Sequence, residues 1–552
     1  MENCKYKLLL SWSAATVLSV GAAVAWAHGD DEAPTGKPPE KLGQVNFSVE
    51  CNAAAKKEFN RAMALFHSFW WDPGKQSFAK VVDLDPGCGM GYWGIAWMAL
   101  GNPFTWPTNP TAAKAGAPAM ADAERVGARS ERERDYIAAL ALFYKDWQSS
   151  DVRPRALALE KAMEKLASKY PEDDEAQILY ALVLNATALP TDKTFANQMK
   201  AAAILEPMFK KYPDHPGVAH YLIHTFDYAD LAEKGLPSAR AYAGIAPSVP
   251  HALHMPSHIF SRVGYWWEMV EGNLASYRAA QAELAESNAV VGSYDGLHAM
   301  DYLVFGQLQQ AQDKAALAIV NEAAAMTRVN VENFVSAYAL AAVPSRYALE
   351  RGDWSQAAAL KLSPAVQAWN KFPQSEAVLV FARGIGAARL GDTAAARKDV
   401  ARLQALKEAM LAAKVGYWPA QTDFQIKAVN AWIALAEKRN DEALQGMRAA
   451  AEAEEASDKH PVTPGNVVPS RQLLGEMLLA LGEPGLALVE FERSLKRDPN
   501  RFRGLYGAAM AAEAVGNKEA AKVHYSRLQE VSAGHDTERT ELVRARAFIA
   551  GR

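Results

Sequence analysis

LGEPGLALVEFERSLKRDP, residues 481–499, is the stretch whose reading decides the fold. Leu481-Gly482, Ala487, Phe491, Ser494 and Pro499 punctuate it, and 34 residues later Val515-Gly516, Ala521 and Tyr525 stand at the places of the first four. Small residues let two antiparallel helices approach, an aromatic ring fills the space between them, and proline ends the second helix because it has no N–H to donate. A 34-residue period with that content reads as one helix pair per repeat. The start of the chain has the same spacing, with Phe78, Val81 and Pro86 at the places of Phe491, Ser494 and Pro499.

Working outward, Arg351-Gly352-Asp353-Trp354 with Ala357, and Leu390-Gly391-Asp392 with Ala395, read as helix-to-helix turns, while Tyr170-Pro171 and Tyr212-Pro213 read as ends of second helices. From Cys51 onward apolar residues recur at three and four, with no convincing alternating strand. These residues resemble the tetratricopeptide repeat family over most of residues 50–532, and beyond the repeat the chain resembles exported bacterial members of it. The resemblance implies an all-α, right-handed superhelical solenoid of antiparallel helix pairs. It also implies a binding scaffold, with a protein or peptide ligand in the concave groove. Helix pairs are expected, among others, at 216–228 and 236–246, 251–263 and 266–286, 293–308 and 312–326, and 330–351 and 354–370.

The first 27 residues read as a secretory signal: Lys5 and Lys7 form a basic start, LLLSWSAATVLSVGAAVAWA an apolar core, and Ala25-Trp26-Ala27 a small-x-small cleavage site. Cleavage between Ala27 and His28 implies export, to the periplasm or outside the cell. An uncleaved anchor is the other reading, disfavoured by the polar HGDDEAPTGKPPEK that follows directly. No later run reaches about 18 apolar residues, so no transmembrane segment is expected in the mature chain. Residues 28–49 read as a flexible lead-in, followed by repeat groups at 50–214, 215–326, 327–456 and 457–552. A net charge of −4 with no basic run gives no electrostatic case for nucleic acid. Cys51 and Cys88 precede the first helices of neighbouring repeats, so an oxidising compartment points to a disulfide contributing about 2–4 kcal/mol. Two buried free thiols are the plainer alternative.

Between His215 and His298 the chain reads HPGVAHYLIHTFDYAD, PHALHMPSHIFSRVGYW and GLHAMDYLVFG, with seven of its twelve histidines. His220 with His224, and His254 with His258, are i, i+4 pairs on one helix face, and His298 with Tyr302 repeats the spacing. His220 and His254 are one 34-residue repeat apart, whereas His298 requires an insertion of about ten residues within EGNLASYRAAQAELAESNAVVGS. First helices of such repeats line the concave surface, which gathers His220, His224, His254, His258 and His298 into one patch. His251 lies a turn before His254, Asp301 and Tyr302 lie beside the patch, and Asp227 and Asp301 are candidates to orient ring N–H groups. Pro256 either kinks its helix or begins it.

Imidazole ligates zinc, copper and iron, and i, i+4 pairs form a clip. Five nitrogens exceed one tetrahedral site, so either two metals or one metal with outer histidines would use them. No HExxH, finger spacing or phosphate loop is present. Two functions therefore stand side by side. One is a scaffold whose histidines are polar contacts to a bound protein segment. The other is a metalloenzyme, hydrolytic or oxidative, with an open coordination position facing the groove. A proton-sensitive groove is a further reading.

Three smaller features remain. A new N-terminus at His28 could chelate copper through its amine and ring. The connector 459–471 reads either as an ordinary link or as a loop over the groove. In the proline-rich loop 101–110, Phe104 and Trp106 could cover an edge, while Phe66, Phe69, Trp70, Trp71, Tyr92, Trp93 and Trp97 read as packing between helices.

Overall fold

The computed structural model describes residues 40–108, 112–189, 191–284, 291–363 and 368–551. The signal-like residues 1–27, the Ala27–His28 junction and His28 lie outside them. Helix Pro484–Arg497 opens on a proline in its first turn, where a missing N–H leaves nothing unpaired, and buries Ala487, Phe491 and Ser494 along one face. A Cβ on Gly475 or Gly507 would collide with the Phe491 ring, so only glycine in helices Ser470–Ala480 and Phe502–Ala514 admits that ring. Gly94 makes room for Phe78 in the same way at the other end of the chain.

Turns between paired helices have one recurring construction. Gly352, Gly391, Gly482 and Gly516 take φ of 64°, 82°, 79° and 78°, the left-handed region that ends a helix at little cost only in glycine. After three of them comes Asp353, Asp392 or Asn517, whose side chain accepts from the backbone N–H three residues on. Glycine stops the first helix and the acid or amide caps the second. Among the described residues twelve such antiparallel pairs run from Ala53 to Val531, and helix Thr540–Ile549 follows them. Cys51 and Cys88 are joined by a disulfide at the starts of the first two pairs, their Cα atoms 5.2 Å apart. No helix among the described residues is long and apolar enough to cross a membrane.

Several elements differ from the sequence reading. Residues 41–49 are no flexible lead-in: Leu42, Val45, Phe47 and Val49 are buried, and Gln44 N donates to Asp214 O at 3.0 Å. Four apolar side chains in eight residues need cover, and the repeats supply it. The helix expected over 354–370 stops at Ala358, a short 3-10 helix follows at Trp369–Lys371, and residues 364–367 lie outside the described ones. The proline-rich loop holds a 3-10 helix, Pro103–Thr108. A parallel pairing of Val291–Gly292 with Arg328–Val329 is also new.

The coil closes on itself. Trp266 Nε1 donates to Asn500 O at 2.8 Å, Phe502 N donates to Gln309 Oε1 at 2.9 Å, and Arg539 Nε pairs with Asp313 Oδ2 at 3.0 Å. The connector between helices Asn440–Glu455 and Ser470–Ala480 is therefore enclosed, with His460, Val462, Thr463, Val467 and Val468 buried. Arg346 donates to Gly465 O at 2.9 Å and Arg501 to Asn466 O at 3.3 Å, which satisfies carbonyls a buried loop would otherwise strand.

Candidate metal centre

Three first helices supply the site. Helix Pro216–Phe226 is capped by His215, whose Nδ1 accepts from Val218 N–H, and all its residues are buried. The next is split into Pro250–His254 and Pro256–Val263, so Pro256 begins a new segment where it would otherwise break a ladder bond. Helix Tyr294–Gln309 starts on the Ser293 cap. Together they turn His220, His224, His251, His254, His258, His298 and Tyr302 inward, each at most 7% exposed.

Two triads result. Ring nitrogens of His220, His224 and His251 lie within 4.8 Å of one another, and so do those of His254, His258 and His298. The triads adjoin: ring centroids are 5.9 Å apart for His224 and His258, and 6.0 Å for His251 and His254.

Neighbouring groups fix the hydrogens of the second triad. Asn273 Nδ2 donates to Met269 O at 2.7 Å, so Asn273 Oδ1 is the acceptor that faces His254 Nδ1 at 2.7 Å. His258 Nδ1 faces the Asp227 carboxylate at 3.0 Å. Both Nδ1 atoms thus carry hydrogen, and in neutral rings both Nε2 atoms present bare lone pairs, which face each other at 3.1 Å. The Tyr302 hydroxyl, 3.2 Å from His258 Nε2, offers one proton to these two acceptors. A shared cation would remove the repulsion: two nitrogens on one ion at about 2.0–2.1 Å stand roughly 3.3–3.6 Å apart, over tetrahedral to trigonal angles. In the first triad His220 Nδ1 donates to His67 O at 2.6 Å and its Nε2 faces His224 Nε2 at 3.1 Å. There the alternative tautomer of His224 would satisfy the pair. Both nitrogens of His251 are buried without a hydrogen-bond partner.

Burial among rings keeps the imidazoles neutral. It pushes His254 down to about 4 against the hydrogen bond of Asn273, and His220 to about 3. Burial likewise carries His224, His251, His258 and His298 well below the ordinary value. Lys459 is pushed down to about 8 by burial, with Asp227 opposing.

Asp227 sits behind His258, as the sequence suggests, and also accepts from Arg262 Nε at 2.9 Å and Lys459 Nζ at 2.7 Å. Asp301 does not orient a ring. It is three residues past His298 rather than four, which turns it toward helix Phe334–Glu350, where Arg346 Nε donates to it at 2.6 Å. Phe104 does cover the site, stacking on His224 with centroids 3.9 Å apart, whereas Trp106 packs on Phe143. Phe69 lies 4.4 Å from His220 and stacks on His251, and its φ of 53° is a left-handed value that such a residue holds at a cost of order 1–3 kcal/mol.

A third group, His67, Glu175 and His215, is different in kind. Glu175 accepts from His67 Nε2 at 3.0 Å and His215 Nε2 at 2.9 Å, while His67 Nδ1 takes the Tyr221 hydroxyl at 2.8 Å. Every ring nitrogen there has an ordinary partner, so this is a closed hydrogen-bond network that steadies the His67 carbonyl behind His220. His67, Asn273 and Lys459 escaped the sequence reading, since none stands at repeat spacing from the histidine pairs.

No protein-family model matches the chain, and no curated protein matches it. Among solved structures, the human IFIT1 dimer with PPP-AAAA is similar over 88% of this chain and 92% of that one, at 12% identity and a TM-score of 0.36. A monomeric IFIT1 mutant with Gppp-AAAA is similar over 80% and 90%, at 11% identity and a TM-score of 0.34. For the TPR domain of P58(IPK) the shares are 69% and 99%, with 12% identity and a TM-score of 0.21. By its own repeats the chain is an all-α, tetratricopeptide-like solenoid.

Proposed function

We propose that this is an exported helical-repeat protein that holds a transition metal at His220, His224, His254, His258 and His298, with Asp227, His251 and Tyr302 in support. The observation that carries the reading is the His254–His258 pair, two buried Nε2 lone pairs 3.1 Å apart with both Nδ1 hydrogens committed elsewhere. Hydrogen bonds from the far nitrogen of each ring are what metal-bound histidines ordinarily make. Zinc, copper and iron all take such donors. Export draws support from the signal-like start and from the disulfide, which belongs to an oxidising compartment.

The test is metal analysis of the full chain purified without a histidine tag, after separate reconstitution with zinc, copper and iron. Stoichiometric metal that disappears in both His254→Ala and His258→Ala supports the proposal. Protein that takes up none of the three metals sinks it.

Capture of a protein or peptide segment is the second reading. An open cavity of about 730 Å³, lined by Arg132, Lys169, Tyr170, Lys211, Tyr212 and His215 among others, supports it. Tyr212→Ala should then weaken peptide binding that His258→Ala leaves unchanged.

A further inference from the structure

We infer that the two triads form a single two-copper(I) centre, with one ion on His220, His224 and His251 and the other on His254, His258 and His298. The inference rests on the metal-binding reading and adds the number of ions, their identity and a ligand role for His251.

Donor count comes first. Each triad brings three imidazole nitrogens within 4.8 Å of one another, and among the described residues neither triad includes a carboxylate. Three neutral nitrogens complete a trigonal shell for a monovalent d10 ion. Zinc seeks a fourth donor and iron more, commonly with carboxylate or water among them. His251 belongs in the shell because it has nothing else to do. Both its nitrogens are buried and unpartnered, a state that is costly in a folded protein. Its ring lies 5.1 Å from that of His220, centroid to centroid.

Charge decides between one oxidation level and the next. Asp227 is already matched by Arg262 at 2.9 Å and Lys459 at 2.7 Å, and Asp301 by Arg346 at 2.6 Å. Asp458 is matched by Arg262 at 3.0 Å and Lys193 at 3.2 Å. Glu175 stands behind His67 and spends its oxygens on two ring N–H groups. None of these carboxylates is left over to offset a metal pair, and two cationic side chains adjoin the second triad. The desolvation cost of an ion rises with the square of its charge, so a divalent ion here costs roughly four times a monovalent one. Adjoining triads, with rings 5.9 Å apart across the boundary, double that difference. The structure thus favours the ion of lowest charge among those imidazole binds.

The experiment uses the full chain without a tag, under anaerobic conditions, titrated with copper(I) against the chromogenic chelator bicinchoninate. Two equivalents withheld from the chelator, not displaced by a tenfold excess of zinc(II), are expected. The X-ray absorption edge should be that of copper(I), with a nitrogen-only first shell. His251→Ala and His298→Ala should each reduce copper from two equivalents to one. If either fails to fold by circular dichroism, His251→Gln or His298→Gln replaces it. Retention of zinc without copper(I), one ion per chain, or two equivalents persisting in the His251 variant overturns the inference and leaves the metal-binding reading standing. Uptake of no zinc, copper or iron overturns both.

Discussion

Lys459 Nζ lies 2.7 Å from Asp227 Oδ2, across 232 residues of sequence. The same carboxylate receives Arg262 and faces His258 Nδ1, so one side chain ties the closing connector to a ring of the histidine cluster. Fold closure and site formation are therefore coupled through Asp227. Lys459→Met removes a charge-assisted hydrogen bond while Arg262 remains on Asp227, and should cost about 1.5–3 kcal/mol. Hydrogen exchange of residues 457–468 should accelerate before that of helix Pro216–Phe226. Equal protection in variant and wild type would show that the connector is held by other contacts.

Asn273 offers a cleaner test of ring orientation. Its Oδ1 fixes the Nδ1 hydrogen of His254 without touching the proposed ion. Asn273→Leu should weaken metal binding about 10–100-fold, the usual effect of losing such a partner. Asn273→Asp keeps an acceptor and should restore most of it. Competition against a chelator of known affinity measures both, and an unaltered affinity in the leucine variant would mean that His254 needs no partner.

Acid sensitivity of the metal-free protein follows from the buried imidazoles. His254 at about 4 and His220 at about 3 stand below the ordinary 6.5, so on unfolding they take up protons in mildly acid solution. Stability is then fully present above about 6.5 and falls as pH drops through the window from 6.5 to about 4, continuing toward 3 for His220. Buried His460, at about 3, adds to the same slope. The melting temperature should decline steadily from pH 6.5 to 4.5, and the decline should be shallower in His254→Phe. A flat profile over that range would contradict neutral buried rings.

How much of this was legible in the chain follows from the range of the interactions. Gly352-Asp353 and Gly391-Asp392 announce their turns because a left-handed residue followed by a cap is a local requirement, met within five residues. The histidine pairs were legible for a related reason: i, i+4 spacing on successive first helices converts a periodic sequence into a common surface. Asp301 was misread because a shift of one residue on a helix turns a side chain by about 100°. His67 and Lys459 could not be found, since each depends on a contact across more than 150 residues that exists only once the coil has closed.

Gly217 links the hidden network to the visible one. A Cβ there would run into the His67 ring, and that ring is held by Glu175 at 3.0 Å and Tyr221 at 2.8 Å, so it has little freedom to yield. Gly217→Ala should therefore push helix Pro216–Phe226 away from helix Ala53–His67, at a cost of about 1–3 kcal/mol. The displacement also lengthens the contact between His220 Nδ1 and His67 O, now 2.6 Å, so metal bound per chain should fall while His254 and His258 keep their partners. Gly244→Ala is the control, because its Cβ would meet nothing within 4 Å and it lies in helix Leu236–Ile245. There alanine should stabilise by about 0.5–1 kcal/mol through helix propensity. Calorimetric melting with metal analysis of both variants decides the matter: if Gly217→Ala melts with wild type and keeps its metal, the His67 carbonyl is not what positions His220.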